Sequence, residues 1–417
     1  MIETLFLITI LYMVLITLPA GIPPSGEAWV ISCYGLLILI VLITKHWERK
    51  KHRHLQAMRL ALCLKAIGLI VSFSYKLSGI GLAEIQAVAR SEFMTILLDA
   101  ACFVVGIRFA ANAALCHNPV FGWFSMLVMP LHLLLARFTS APIHGSYLSA
   151  FGILSFSVCM AFAPFAAAYS FCDTRFKNPF SKRLTSISGN ELGFLLLLVL
   201  LAGISGKVNH EYGLVLVFVG AVGGFVFILY GRSTFSKIAL SLCAFLTANL
   251  VTLTSTKVQT RLSTMRSLAD AWNNGNLSGE ATQLYYFFLR VKGAGFYGYG
   301  SGQLSQSLYP TALNDYIFVT IFYNYGVITG FLAFALAIMM CWSILRNETR
   351  NRYDGIVNQS IAILFGAIYI LSFYGNLGSI PLTGVSPLFM ASAGHTMDAA
   401  AAWLLGISAG LGTGRTD

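Results

Sequence analysis

The sequence predicts an all-α polytopic membrane protein, a bundle of about 10–12 transmembrane helices with one large outer loop before the third-last helix. Three observations predict it. Mean hydropathy is +0.75. Hydrophobic residues make up 57% of the 417 and charged residues only 10%, outside the balance of soluble globular chains. Apolar runs of about 17–25 residues recur along the chain, long enough at about 1.5 Å per residue to cross a hydrocarbon core of roughly 30 Å. With short connections between them, residues 1–417 read as a single integral membrane domain.

The runs place spans at 4–21, 27–44, 57–77, 93–114, 120–138, 147–171, 192–207, 211–231, 237–254, 316–345, 355–376 and 386–410. The first is not a signal peptide by its pattern: its head carries Glu3 and no Lys or Arg, and no small-residue cleavage site precedes Gly21-Ile22-Pro23-Pro24. The span at 316–345 has room to bend at Gly326 or Gly330. Basic clusters follow the second span (Lys45, Arg49, Lys50, Lys51, Arg53), the sixth (Arg175, Lys177, Lys182, Arg183) and the tenth (Arg346, Arg350, Arg352). By the positive-inside rule these faces are cytoplasmic, which puts both termini in the cytoplasm and the loop at about 255–315 outside. The net charge of +11 is then topogenic charge facing anionic membrane lipid, and a nucleic-acid partner has no support. The eight cysteines lie in or beside apolar runs without metal-ligand spacing, as packing residues do.

Only 16 residues are acidic, so each one near lipid is informative. Asp315 stands where the outer loop re-enters the membrane, ahead of Tyr316-Ile317-Phe318. It is placed either as a helix N-cap or as a working carboxylate, and the two roles are compatible. Upstream, Gly293-Ala294-Gly295-Phe296-Tyr297-Gly298-Tyr299-Gly300-Ser301-Gly302 permits left-handed turns and close backbone approach. Its N–H groups could cradle an anion, or the run could be a structural re-entrant turn. Glu92 reads as a cap behind Ser91 or as a polar cavity wall, and Glu211 as a vestibule or structural residue. Asp99 and Asp398 interrupt apolar runs and are expected to face the interior, paired with Arg108 or His395; His395 itself reads as packing or functional. Arg261 reads as a headgroup-facing or a site residue.

The order of these pieces resembles the SEDS family (shape, elongation, division and sporulation), the FtsW/RodA group of peptidoglycan polymerases. Gly295 through Gly302 resembles the family's G-L-F-G-x-G-L-G, and Pro310 through Phe318 its P-E-x-H-T-D-F-I-F, with Asp315 on the Asp. Asn376-Leu377-Gly378-Ser379-Ile380-Pro381 resembles N-x-G-x-x-P, and Pro387 through Gly394 is a looser echo of L-P-F-I-S-Y-G-G. Ser91-Glu92-Phe93-Met94 and Asn209-His210-Glu211-Tyr212-Gly213 extend the likeness upstream toward Q-P-S-E-F-x-K and Q-P-D-L-G. The family has ten spans, and an inserted helical hairpin at about 120–171 accounts for the surplus here. Departures are specific. Leu313 replaces the His before the Asp, Tyr323 and Asn324 replace a Glu pair, and Thr95 and Thr383 replace lysines. Charged groups are what hold a lipid pyrophosphate, so a retained scaffold with an altered donor site is expected.

The resemblance implies an inverting hexosyltransferase of the bacterial cytoplasmic membrane that polymerises lipid II in cell-shape or division wall synthesis, beside a class B penicillin-binding protein. Such a reaction needs a base for the attacking hydroxyl, for which Asp315 is the candidate; lost solvation at the membrane edge raises a carboxylate toward a useful pKa. Arg261, Arg266, Arg290, Lys292, Gly298, Gly300 and Gly302 are the candidates for holding the leaving pyrophosphate, with Glu92, Glu211 and His395 as cavity residues. A divalent cation (Mg or Mn) would suit the pyrophosphate, though no ligand cluster demands one. Two other classes fit the pattern: a SEDS-fold scaffold for a transpeptidase, and another polyprenyl-linked sugar polymerase, ligase or flippase. The outer loop's three arginines and absent His count against the last.

Overall fold

The structure is a computed structural model that describes residues 24–51, 55–77, 82–139, 149–150, 154–155, 161–172, 292–300, 315–380, 385–391 and 395–412, with isolated residues between 204 and 289. The spans expected at 4–21, 192–207, 211–231 and 237–254 lie outside them, except for the isolated residues 204 and 217. The described chain is helical: α1 Pro24–Lys51, α2 Gln56–Leu77, α3 Leu82–Ala111, the short α4 Ala113–Cys116, α5 Pro119–Thr139, α6 Ala163–Cys172, α7 Ile317–Leu345, α8 Arg352–Asn376 and α9 His395–Leu411. A hairpin of two-residue strands, β1 Ser149–Ala150 and β2 Leu154–Ser155, pairs antiparallel between α5 and α6. Five helices are long and apolar enough to cross a membrane among the described residues, within α1, α2, α3, α7 and α8.

Large apolar side chains such as Leu39, Leu42, Val105, Phe331 and Leu332 are exposed, while Lys65, Glu92, Asp99 and Asp398 are buried. This arrangement suits a protein whose solvent is lipid. The chain is a multi-pass membrane protein.

Local chemistry sets the helix ends. Asn118 caps α5, its Oδ1 accepting the Val120 N–H at 2.8 Å. Asn351 caps α8 in the same way toward Asp354 N (2.8 Å), and the acidic Asp354 in the first turn complements the helix dipole. Gly378, at φ 69°, closes α8, with Ser379 N–H donating back to Tyr374 O. Two expected spans differ. α3 starts at Leu82 rather than near residue 93, because Leu82–Ala89 is rich in helix formers and the helix outruns its apolar stretch. Residues 147–171 do not form one helix: 149–150 and 154–155 pair as strands, and among the described residues α6 begins at Ala163, beside Pro164, which lacks an N–H and suits a helix's first turn.

By contacts the chain divides into two compact units, residues 1–104, 263–343 and 369–403, and residues 105–262, 344–368 and 404–417. In the second, α5 meets α6 where Gly122 lies under the Tyr169 ring, and Gly410 lies against Ala110 and Ile107. Small residues at helix contacts are how membrane helices approach closely. Phe109, Phe121, Phe162 and Phe165 pack edge-on or tilted around that corner, and His117 Nε2 meets Asp354 Oδ1 at 2.8 Å. In the first unit α1 packs on α2, and Phe318, Phe322, Phe331 and Phe334 gather around Phe373.

α7 would run about 43 Å if straight, longer than the hydrocarbon core. It breaks at Gly326, where φ is 83° and ψ 169°, a region that only glycine occupies readily. A Cβ there would sit 1.9 Å from the Phe296 carbonyl oxygen. Gly326→Ala is therefore expected to destabilise the protein by more than the roughly 1–3 kcal/mol of backbone strain alone. Gly366→Ala in α8, where a Cβ meets nothing within 4 Å, serves as the control and is expected to hold or gain up to about 1 kcal/mol. Thermal unfolding in detergent compares them, and equal midpoints would remove the break from the fold's requirements.

Candidate functional site

Asp315 lies half-buried at the entry to α7. Its backbone carbonyl accepts from Asn376 Nδ2 at 2.7 Å, and its Oδ1 accepts from Ser386 Oγ at 3.3 Å. Asn376, the last residue of α8, also accepts the Val319 N–H (3.2 Å) through Oδ1 and donates to Ser372 O (2.7 Å). One buried amide thus does part of a cap's work for α7 while fixing the backbone of Asp315. Ser386, which holds the carboxylate, belongs to the turn at residues 385–391.

That turn is itself fastened. Tyr369 OH donates to Leu388 O at 2.8 Å, and Gly68 of α2 approaches so closely that a Cβ would lie 2.4 Å from Met390 O. Phe389 sits at φ 61°, a conformation L-residues rarely adopt. Its N–H donates to Asp398 Oδ1 at 2.6 Å, a charge-assisted bond that holds the strained residue in place.

Asp398 belongs to a buried charged cluster. Lys65 Nζ lies 3.2 Å from Asp398 Oδ2 and 3.2 Å from Glu92 Oε2, the latter within ion-pair range but not aligned as a hydrogen bond. Asp99, two turns beyond Glu92 on α3, shares a small cavity with Lys65 and Phe389. Beside the cluster, Thr95 Oγ1 and His395 Nδ1 are 2.9 Å apart. The pairing expected for Asp398 is corrected: its partner is Lys65 rather than Arg108 or His395. α2 is the helix that reaches it. Glu92 likewise lies within α3 as an ion-pair member, not at a helix start.

The glycine segment docks on the break in α7. Tyr299 N–H donates to Tyr323 O (2.9 Å), Gly300 N–H to Asn324 O (3.0 Å), and Val327 N–H to Gly295 O (3.2 Å). Gly295, Gly298 and Gly300 all have positive φ, and a Cβ on Gly298 would come within 2.5 Å of the Asn324 backbone. The Gly298 and Gly300 N–H groups, offered by the sequence for an anion, are here donated to Ala294 and Asn324 carbonyls. Phe296 and Tyr297 remain exposed.

No protein-family profile matches the chain, and no curated protein matches it. Solved structures do. A chain from a peptidoglycan synthase complex, described as coordinating polymerization and crosslinking, superposes with a TM-score of 0.59 at 15% identity, covering 85% of this chain and 96% of that one. The rod shape determining protein RodA of Thermus thermophilus superposes with a TM-score of 0.51 at 14% identity, over 85% and 94% of the two chains. The chain has the RodA fold. The likeness lies in the path of the chain, at an identity where side chains have largely diverged.

Within the RodA fold, the structure brings Asp315, Asn376 and Ser386 together, joins Glu92 to Asp398 through Lys65, and sets His395 against Thr95. Arg266 and Lys292 are exposed. Arg261, Arg290, Glu211 and Gly302 lie outside the described residues. Lys65 and Ser386 are site residues that sequence reasoning missed; the signal for Lys65 was a lone lysine midway along an apolar run. Among the described residues no group of three His, Cys, Asp or Glu is placed to hold a metal ion.

Proposed function

We propose that this protein is a SEDS-type glycosyltransferase that polymerises lipid II at the outer face of the bacterial cytoplasmic membrane, in wall synthesis for shape or division. The observation that carries the reading is the Asp315 carboxylate at the mouth of α7, anchored through Asn376 and Ser386 in a RodA fold. In the reaction, a sugar hydroxyl of one lipid-linked disaccharide attacks the anomeric carbon of another. The bond from that carbon to the pyrophosphate breaks, undecaprenyl pyrophosphate leaves, and the hydroxyl proton passes to Asp315. The base works from the face opposite the leaving group, so the anomeric centre inverts.

The leaving pyrophosphate needs positive charge, and Arg266 and Lys292, with Arg261 and Arg290, are the side chains for that role. The similar chain from a synthase complex supports a class B penicillin-binding protein as partner. Basic clusters after even-numbered spans support cytoplasmic termini.

The test is direct. Full-length protein in liposomes is given purified lipid II, alone and with a class B transpeptidase, and glycan strands and released undecaprenyl pyrophosphate are measured. Strands in either condition are expected. Neither product, with the partner demonstrably bound, would overturn the enzyme reading in favour of a scaffold; pyrophosphate release without strands would mean transfer of the sugar to water, and would overturn the polymerase reading.

A further inference from the structure

We propose that Asp99 is a proton-binding site inside the membrane-spanning bundle, and that its proton keeps Lys65 committed to Asp398 and so holds the 385–391 turn. The inference stands independently of the polymerase reading. Lys65 lies midway along α2's apolar span, and Glu92 and Asp99 lie within α3's. Asp99 is 6% exposed, Glu92 3%, Lys65 4% and Asp398 1%. One ammonium therefore faces three carboxylates where water cannot screen them, two negative charges in excess if all were ionised.

The partners are not shared equally. Lys65 is within 3.2 Å of both Glu92 and Asp398, and Asp398 also takes the Phe389 N–H. Among the described residues Asp99 Oδ1 has no hydrogen-bond partner, and Asp99 lies on the cavity that it shares with Lys65. The cavity has room for about one water. Among the described residues the charged groups near Asp99 are Asp398, Lys65 and Glu92, with the Cys102 thiol three residues along α3 and the Cys33 thiol and Tyr369 hydroxyl around the cluster. A proton is the ligand this geometry takes. A metal ion would meet the Lys65 ammonium on the same cavity wall, whereas a proton needs no coordination shell. A neutral Asp99 removes one excess charge, and the Phe389 N–H offsets part of the other.

Loss of the proton changes the competition. An ionised Asp99 draws Lys65 away from Asp398, the carboxylate that accepts the N–H of the left-handed Phe389. The turn carrying Phe389 also carries Ser386, which touches Asp315. The proton site and the Asp315 corner are thus joined by one seven-residue turn.

Infrared spectra of the full-length protein in phosphatidylethanolamine–phosphatidylglycerol liposomes test the site. At neutral pH the wild type and Asp315→Asn are expected to show the C=O stretch of a neutral carboxylic acid, and Asp99→Asn to lose it. If Asp99→Asn does not fold, Asp99→Glu is expected to shift the band. No such band, a band that these changes at Asp99 leave unaltered, or a band removed by sodium ions at constant pH would overturn the proposal, the last in favour of a metal cation. Amide exchange of the peptide covering 385–391, corrected for intrinsic pH dependence, reads the coupling. Wild-type protection is expected to fall over the pH range where the band disappears, and Asp99→Asn protection to persist; identical profiles would overturn the link to the turn.

Discussion

Under the proposed reaction, Asp315→Asn is expected to lower the rate of lipid II polymerisation by about 10²–10⁴-fold, the contribution of a positioned general base, with little change in thermal stability. The amide has the carboxylate's shape. Its oxygen can still accept from Ser386, and the backbone bond from Asn376 to the Asp315 carbonyl does not involve the side chain. What the amide cannot do is take a proton from the attacking hydroxyl. Ser386→Ala is expected to lower kcat by a smaller factor with KM unchanged, and Ser386→Thr to restore it, because in the proposed reaction Ser386 would act only through Asp315. Strand formation from purified variants decides. An Asp315→Asn protein that polymerises at the wild-type rate would leave Asp315 as a helix-entry residue only.

Lys65→Met carries the largest expected cost in stability, about 3–5 kcal/mol, the usual effect of removing one member of a buried ion pair. Methionine fills similar space but leaves Glu92, Asp99 and Asp398 facing one another without a cation. Asp398 would then keep only the Phe389 N–H. Adding Asp398→Asn removes one stranded charge, so the double variant is expected to be more stable than Lys65→Met alone. Thermal midpoints of the four proteins in one detergent form the cycle. A Lys65→Met protein as stable as wild type would mean that the cluster contributes nothing to the fold.

The helices that sequence shows best are those whose apolar run and helical length coincide, as in α2, α5, α7 and α8. α3 was legible only in part, since Leu82–Ala89 holds its helix by propensity before lipid-facing residues begin. A turn occupies residues 385–391, so the last span's helix starts at His395, later than its apolar stretch implies. Asp315 stood out because a carboxylate beside an apolar helix is rare in so apolar a chain. Its anchors were not legible: Asn376 lies 61 residues on and Ser386 71, and only the fold brings them to it. The partner of Asp398 was missed for the same reason, 333 residues away on α2. A buried charge announces that a partner exists, not which helix carries it.

The docking of Gly295–Gly300 on Tyr323–Val327 has a consequence for how this protein can be altered. Segments rich in glycine and free of regular structure are the usual places to insert an affinity tag, a fluorophore-bearing peptide or a new terminus. This one is a poor choice. Tyr299 and Gly300 are matched in register to Tyr323 and Asn324, and Gly295 to Val327. One added residue between Gly295 and Gly300 would put a side chain where Gly298 now presses on the α7 backbone, and would leave carbonyls at the break without donors. The segment's length is as constrained as that of a helix turn, and protein engineering should leave it intact, as it would a packed core.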